Sequence, residues 1–333
     1  MEYPLVTVVT PVYNTAEYLE ECIRSVLAQD YPNLRYLVVD NCSTDGSAEI
    51  ADRYANTDPR MEVTRNKSFL TQVGNYNHAL RLASAEGKYA KIVQADDWIF
   101  PSCIRRMTEV AEEYPTVGIV GAYRLIGDRL AGDGLPVGVS FYSGKDVARR
   151  QLLTGDFYFG SPTSIMLRAD VVRALTDYFD SGSLHEDTAA CYRDLKTWDF
   201  GFVHELLTYS RIGNDSIGTR TRDFTPHALD KFIIISRFSS DFLEPREAYR
   251  LQRRTSSSYY RLLARAVFRF RGKPYWEYQR QGLAVLGKRV FCMDFVAGLL
   301  LELADILFNP KKTLGRIVHW AGNRIRGGES VGR

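Results

Sequence analysis

Two short runs of apolar, β-branched residues near the start of the chain constrain its fold more than any other feature. Residues 6–10 and 36–40 each have the length of a buried strand, and each precedes polar turn residues and a helical pattern. Between them, apolar residues at helical spacing predict a helix over about 15–29, which Asn14 and Glu17 would begin as a capping box. This order predicts a βαβ unit and hence a parallel sheet.

The same alternation continues along the chain. Helices are predicted at 48–54, at 75–84 and from 184 onward, and strands at 62–65, 90–94, 118–123, 164–168, 200–204 and 207–211. The glycine-rich strands after residue 118 indicate a mixed extension of the sheet. We therefore predict an α/β domain over residues 1–225, with helices on both faces of a mostly parallel sheet. Residues 226–333 are predicted to form a helical appendage.

The adjacent acids Asp96 and Asp97 directly follow the predicted strand at 90–94. In open α/β sheets, ligands bind in the crevice outside the carboxyl ends of the strands. Carboxylate oxygens there can bind a hard divalent cation, which neutralises negative charge that develops on a leaving diphosphate. Taken alone, the same pair is equally ordinary turn chemistry, because Asp accepts local backbone hydrogen bonds.

Charge is distributed unevenly between the two predicted regions. Residues 231–333 hold 20 Lys and Arg against 8 Asp and Glu, whereas residues 1–230 carry a net negative charge. The basic region mixes arginines such as Arg261 and Arg265 with aromatics such as Tyr259, Tyr275 and Trp276. This mixture suits packing on the catalytic domain or on a second copy in a homo-oligomer, or contact with an anionic membrane surface. It suits nucleic acid less well, and no nucleic acid partner is expected.

Cellular placement follows from the cysteines and from hydropathy. The five cysteines are an odd number without zinc-like spacing, which indicates a reducing, cytoplasmic environment. The first residues resemble no secretory leader, and the most apolar stretch, residues 290–308, contains three acids. We expect no transmembrane helix, and a cytoplasmic protein that can lie peripherally on the membrane face.

Several motifs occur in a fixed order over about residues 4–218. They are Thr10-Pro-Val-Tyr-Asn14, Val38-Val-Asp-Asn-Cys-Ser-Thr-Asp45-Gly-Ser, the Asn77 segment, Gly87-Lys-Tyr, Gln94-Ala-Asp96-Asp97, Phe179-Asp180 and Glu186-Asp187. Together they resemble the family 2 glycosyltransferases of the A-type fold. The resemblance implies an inverting enzyme that moves a sugar from a nucleoside diphosphate, most commonly uridine diphosphate, to an acceptor hydroxyl. The acceptor would be a glycan, a lipid-linked molecule or a protein.

The resemblance also implies roles for individual donor-site residues. The nucleotide base would be held by Asp40 and by the turn formed by Thr10, Pro11, Val12 and Tyr13. Asp96 would face the ribose or sugar, and Asp97 would bind Mg²⁺ or Mn²⁺. Lys67 and Asn77 are candidate phosphate or sugar contacts, with solvated-loop and helix-cap roles as open alternatives. Tyr13 could equally be a core aromatic, and Asp40 a turn residue.

The resemblance makes Asp187 the catalytic base. An acceptor hydroxyl is a poor nucleophile near neutral pH, so a carboxylate that takes its proton during attack lowers the barrier. Glu186 would orient Asp187 or the acceptor, or else interact favourably with the helix dipole. Arg211, Asn214, Ser216 and His185 are candidate diphosphate or acceptor contacts. For His185, an ordinary partly buried histidine is the alternative.

Two positions depart from the family pattern, and both reduce the number of protein ligands expected at the predicted metal site. Gln94 stands where relatives often have Asp, and Gly213 or Asn214 stands where many have a metal-contacting histidine. Two other functions stay open, a non-catalytic protein that binds sugar nucleotides or membranes and a nucleotidyltransferase. The latter needs a glycine-rich phosphate loop after the first strand, as a dinucleotide-binding dehydrogenase also does, and the chain has none there.

Overall fold

The computed structural model describes residues 3–180, 186–213 and 222–309. The chain divides into two compact units. The first comprises Met1–Arg220 and Arg237–Ala248, and the second comprises Thr221–Ser236 and Tyr249–Arg333.

Ten strands and eleven α-helices are present within the described ranges. The strands are β1 (Val6–Val12), β2 (Leu34–Asp40), β3 (Met61–Arg65), β4 (Tyr89–Ile92), β5 (Trp98–Ile99), β6 (Val117–Ile126), β7 (Arg129–Ala131), β8 (Phe141–Tyr142), β9 (Ile165–Arg168) and β10 (Asp199–Ser210). The helices are α1 (Ala16–Leu27), α2 (Ser47–Ala55), α3 (Gln72–Ser84), α4 (Cys103–Glu113), α5 (Gly144–Thr154), α6 (Ala169–Arg173), α7 (Glu186–Asp194), α8 (Pro226–Phe242), α9 (Pro245–Phe268), α10 (Lys273–Ala284) and α11 (Met293–Phe308).

One sheet organises the first unit, in the order β3-β2-β1-β4-β9-β6-β10-β5, with β7 and β8 paired at its side. The pairs β1–β2, β1–β4 and β2–β3 are parallel, which confirms the predicted parallel sheet. Strand β9 runs antiparallel to both β4 and β6, which confirms the mixed extension. The core residues of β1 and β2 are fully buried because helices cover both faces of a parallel sheet.

The start of α1 differs from the predicted capping box. Asn14 adopts a left-handed conformation with φ 50°, and its side chain accepts a hydrogen bond from the Thr44 backbone N–H at 2.8 Å. The first helical N–H groups are capped from the β2–α2 turn, since Ala16 N donates to Asp45 at 2.9 Å and Thr15 N donates to Ser47 at 3.0 Å. Asp45 therefore joins two successive turns at the carboxyl edge of the sheet.

A second difference concerns the strands predicted at 200–204 and 207–211. They form one continuous strand, β10, which pairs in parallel with β6 and shifts register between Val203 and Leu206. The irregularity interrupts the alternation of side chains, which explains why the sequence suggested two strands. Near its end, β10 pairs antiparallel with β5, with Tyr209 opposite Trp98. This pairing brings Ser210 and Arg211 beside the acid pair.

In the second unit, several of the aromatic residues considered for membrane contact are core residues, which agrees with the packing alternative for them. The rings of Phe232 and Tyr259 stack at 4.7 Å, and the Tyr259 hydroxyl donates to Gln279 at 2.6 Å. Tyr260 and Tyr275 are buried as well. Any surface contact must therefore use side chains other than these, such as Phe268 and Phe270, which are exposed. None of the helices in the described ranges has the length and apolar character needed to span a bilayer.

Candidate functional site

The carboxylate of Asp97 lies at the centre of a hydrogen-bonded arrangement at the carboxyl end of β4. Thr163 Oγ1 and Ser210 Oγ donate to Asp97 Oδ2 at 2.7 and 3.3 Å, and the Arg211 backbone N–H donates to Oδ1 at 3.0 Å. Its side chain is buried, while Asp96 is only partly buried. Burial, followed by the negative charge of Asp96, raises the pKa of Asp97 to about 7.

Thr163 is itself held by groups that sequence reasoning did not single out. Its hydroxyl accepts from the Gln94 N–H at 3.0 Å, so its own proton points to Asp97. The fully buried ammonium of Lys91 donates to the carbonyls of Thr163 at 2.6 Å and Ile165 at 3.1 Å. Burial lowers the pKa of Lys91. The sequence signal was a lysine inside the apolar run of β4.

Arg211 joins the end of β10 to α1. Its Nε donates to the Asp96 carbonyl at 3.1 Å, its guanidinium lies 4.6 Å from the Tyr18 ring centroid, and it forms an ion pair with Glu21. The predicted diphosphate contact is thus engaged by protein groups in this structure. Asn214, Ser216 and His185, predicted as neighbouring contacts, lie outside the described residues.

The nucleotide-base side of the predicted site contains an exposed aromatic pair. Tyr13 and Phe69 are 48% and 58% exposed, with ring centroids 4.8 Å apart. Tyr13 is therefore not a core residue. Phe69 was missed, although an aromatic in the polar loop after β3 was a usable signal. Asn41 fixes this loop, because its amide exchanges hydrogen bonds with the Leu70 backbone at 2.9 Å each way.

The remaining residues proposed to hold the base are buried. Asp40 is buried and accepts from the Ser43 N–H at 3.3 Å. Pro11 and Val12 are buried in β1, and the Thr10 hydroxyl bonds to the Tyr36 hydroxyl at 2.9 Å inside the core. Thr10, which was predicted to bind the donor, thus also makes a structural contact in the core.

Asn77 and Lys67 occupy very different surroundings. Asn77 is buried, its Nδ2 donates to the Phe179 carbonyl at 2.9 Å, and its Oδ1 accepts from the Phe179 N–H at 2.8 Å. The amide therefore clamps the Phe179 segment from within α3, so Asn77 is not a helix cap, and its contact with the donor stays a prediction. Lys67 lies on the exposed part of the loop before Phe69.

Glu186 and Asp187 begin helix α7, as the helical pattern predicted. Asp187 Oδ1 accepts from the Thr188 N–H at 2.6 Å, which places the carboxylate at the positive end of the helix. Asp187 lines a small cavity together with Phe179, Cys191 and the turn at residues 160–162. That turn continues directly into Thr163, which contacts Asp97. The structure thus brings the predicted base to the segment that supports the predicted metal ligand.

The acid pair could supply only part of the coordination shell of a divalent cation such as Mg²⁺ or Mn²⁺. Within residues 3–180, 186–213 and 222–309, no three His, Cys, Asp or Glu side chains converge to hold a metal. Mg²⁺ is commonly bound through one or two carboxylates, with water and substrate phosphates completing its shell. Asp97 can supply one such carboxylate, and its pKa is raised first by burial and then by the neighbouring charge of Asp96.

Comparison with known proteins relates the chain to enzymes of sugar transfer. The model of "Glycosyl transferase family 2" matches residues 7–176. Glycosyltransferase GlyG of Streptococcus pneumoniae serotype 4 is 28% identical over 57% of this chain and 64% of its own length. The match thus spans less than two thirds of that relative. Putative teichuronic acid biosynthesis glycosyltransferase TuaG of Bacillus subtilis is 27% identical over 65% of this chain and 82% of its own length.

Solved structures share the fold at low sequence identity. Residues 1–349 of S. aureus TarS, in complex with UDP-GlcNAc, match with a TM-score of 0.55 and 20% identity over 89% of this chain and 81% of that one. The mannosyltransferase PcManGT from Pyrobaculum calidifontis, in complex with GDP-Man and Mn²⁺, matches with a TM-score of 0.54 and 20% identity over 94% of this chain and 84% of that one.

Proposed function

Because this chain belongs to glycosyl transferase family 2 and is a glycosyltransferase with the A-type fold, we propose that it is an inverting enzyme. Its donor is a nucleoside-diphosphate sugar, and its acceptor is a hydroxyl of a glycan, lipid-linked molecule or protein. The arrangement around Asp97, which joins the ends of β4 and β10 through Thr163, Ser210 and Arg211, carries this proposal. We assign the chemistry to residues 1–225.

In the proposed reaction, the acceptor oxygen attacks the anomeric carbon as the bond from that carbon to the diphosphate breaks on the opposite face. Asp187 takes the acceptor proton, and Glu186 orients the acceptor or Asp187. Asp97 would hold a Mg²⁺ or Mn²⁺ ion, which would supply positive charge to neutralise the leaving diphosphate. Asp96 contacts the ribose or sugar. One displacement inverts the anomeric centre without a sugar–enzyme intermediate.

The proposed donor contacts begin at the exposed aromatic pair. A nucleobase can stack against Tyr13 and Phe69, and stacking of this kind is worth about 1–3 kcal/mol per base. Asp40 accepts the imide proton of the base, and Pro11 and Val12 shape the floor beneath it. TarS was solved with UDP-GlcNAc and PcManGT with GDP-Man, and we propose a UDP-sugar here. Lys67 and Arg211 are the proposed diphosphate cations.

The basic C-terminal region completes the proposal. We assign residues 226–333 to an appendage that contacts an anionic membrane surface through residues 231–333, or that packs in a homo-oligomer. The protein would act in the cytoplasm, and all five cysteines are free thiols in the structure. The membrane contact would bring the catalytic domain to lipid-linked acceptors.

The decisive experiment compares donor binding with turnover. Purified full-length protein is screened against UDP- and GDP-sugars with Mn²⁺ by thermal shift, and donor hydrolysis or transfer is then measured. We expect Asp187→Asn to retain the donor-induced shift while turnover falls by about 10²–10⁴-fold. Asp177→Asn, at an exposed acid paired with Arg81, is the matched control and should leave turnover unchanged. Unchanged turnover in Asp187→Asn would refute the base assignment, and a protein that binds donor without any turnover would refute the enzyme proposal.

A further inference from the structure

Helix α11 presents an almost entirely apolar outer face. At 100° per residue, its exposed apolar residues span roughly 160° of the circumference, and no charged residue lies within that arc. The exposed members of this face, hereafter the α11 face, are Met293, Val296, Leu300, Leu301, Leu303, Leu307 and Phe308, with exposed fractions from 43% to 82%. A contiguous exposed apolar patch of this kind is often functional.

The opposite side of α11 is fixed against α9 within the same unit. Gly298 allows this close approach, because a Cβ there would lie 3.0 Å from the Tyr260 carbonyl oxygen. Buried Glu302 pairs with Arg261 and with Arg265, the latter at 2.8 Å. These contacts prevent α11 from turning its apolar face inward.

The three carboxylates of α11 contact other protein groups, whereas the charged residues on either side of the helix in the sequence are cations. Asp294 accepts from Ser256 at 2.7 Å, Glu302 is bound by two arginines, and Asp305 accepts from the Asn309 side chain at 3.0 Å. Exposed Lys288 and Arg289 precede the helix, and the sequence places Lys311 and Lys312 shortly after its last turn. In the sequence, cations therefore flank this apolar stretch on both sides.

The geometry points to a bilayer containing anionic lipids as the partner of the α11 face: we propose that the helix lies in the plane of the membrane. Helices that dock in this way bury an apolar side among the acyl chains while cations meet lipid phosphates. The inference rests on the proposed membrane contact of residues 231–333 and not on the proposed sugar transfer. It replaces the buried aromatics of the sequence-based hypothesis with a defined set of exposed side chains.

The dimensions of the α11 face argue against a second copy of the chain as its partner. A 16-residue helix is about 24 Å long, and one helix is about 10 Å wide. The area is then a few hundred Å², below the roughly 800 Å² per partner of a stable interface. The surface is also convex, so it offers no groove for a peptide.

The test measures sedimentation of the full chain with vesicles. Neutral phosphatidylcholine vesicles are compared with vesicles containing about a third of phosphatidylglycerol. We expect wild type to bind the anionic vesicles more tightly, and Leu300→Asp/Leu307→Asp to bind them at least ~10-fold more weakly. Leu153→Asp, a partly exposed leucine on α5, is the matched control and should bind as wild type does. Leu300→Ala/Leu307→Ala, which introduces no charge, should show an intermediate loss of vesicle binding. This variant provides the test if the aspartates impair folding.

Several results would overturn this inference. One is the absence of wild-type binding to anionic vesicles, and another is equal binding by the wild type and both double variants. A concentration-dependent dimer that Leu300→Asp/Leu307→Asp converts to a monomer would assign the α11 face to a second copy instead. Vesicle binding without donor turnover would refute the proposed sugar transfer and leave the membrane surface intact.

Discussion

Replacing Lys91 with methionine tests whether a buried ammonium organises the acid site. Lys91 is fully buried and donates to the carbonyls of Thr163 and Ile165. Methionine keeps most of the volume but leaves these acceptors without the ammonium, at about 1–3 kcal/mol each. Relief from burying the ammonium, whose pKa is lowered by burial, offsets part of that cost.

We therefore expect Lys91→Met to lower the free energy of unfolding by about 3 kcal/mol. For a unit of this size, that corresponds to a fall in Tm of roughly 6–12 °C. The matched control is Lys88→Met, at a partly exposed lysine beside β4 that pairs with Glu112. An ion pair of that kind contributes about 0–1 kcal/mol. Urea denaturation and thermal unfolding of both variants provide the measurement.

The functional consequence of Lys91→Met passes through Thr163. Loss of the ammonium loosens the turn whose hydroxyl orients Asp97, and changes to groups that support metal ligands typically weaken metal affinity about 10–100-fold. We expect the Mn²⁺ concentration for half-maximal turnover to rise about 10-fold. Thr163→Val should reproduce this rise with a smaller loss of stability. If Lys91→Met matches Lys88→Met in both stability and Mn²⁺ response, the reasoning is wrong.

Three further predictions follow from single contacts. Burial raises the pKa of Asp97 to about 7 from its ordinary 3.8, so the folded protein without metal favours the protonated carboxyl below that pH. The increase in Tm caused by Mn²⁺ alone should therefore be larger at about pH 8 than at about pH 6. An equal increase at the two pH values would contradict this. Phe69→Ala should weaken binding of UDP by about 1–3 kcal/mol in calorimetry, whereas Phe157→Ala, at another exposed phenylalanine, should not. Gly144→Ala should lower the free energy of unfolding, measured by urea denaturation, by more than about 2 kcal/mol, because the new Cβ would lie 2.2 Å from the Trp198 carbonyl oxygen. At Gly272, the atom nearest to a new Cβ is 3.7 Å away, so Gly272→Ala should lower it by under ~1 kcal/mol.

Local sequence patterns predicted the strands and helices in the parallel, N-terminal part of the sheet, because the residues of each element are enough to indicate its type. The apolar runs of β1 and β2 and the periodicity of α1 need no distant partner. The start of α1 could not be predicted in this way, since its caps come from Asp45 and Ser47 some 30 residues later. In β10, a register shift near Leu206 disguised one strand as two.

The aromatics of the second unit show that local sequence patterns also could not predict which side chains lie at the surface. Tyr259 and Tyr260 lie among arginines in the sequence, and composition alone left open whether they pack against protein or meet a membrane surface. In the fold, adjacent helical positions face different neighbours, so the rings enter the core while residues such as Arg253 stay outside. The apolar outer side of α11 became visible only once the packing of its inner side was known.

The acid pair shows most clearly what the sequence could and could not provide. Strand position identified Asp96 and Asp97, but the donors to Asp97 come from Thr163, Ser210 and Arg211, which lie 66 to 114 residues away. A carboxylate offers about four lone-pair sites, and these three donors occupy all but one. If Asp97 binds the cation, it therefore does so through a single oxygen while its hydrogen bonds stay in place. A diphosphate and water must then supply most of the remaining ligands, which ties metal affinity to donor binding. We accordingly expect Mn²⁺ and a nucleoside diphosphate to stabilise the protein together by more than the sum of their separate effects in thermal shift, and simple additivity would refute this coupling.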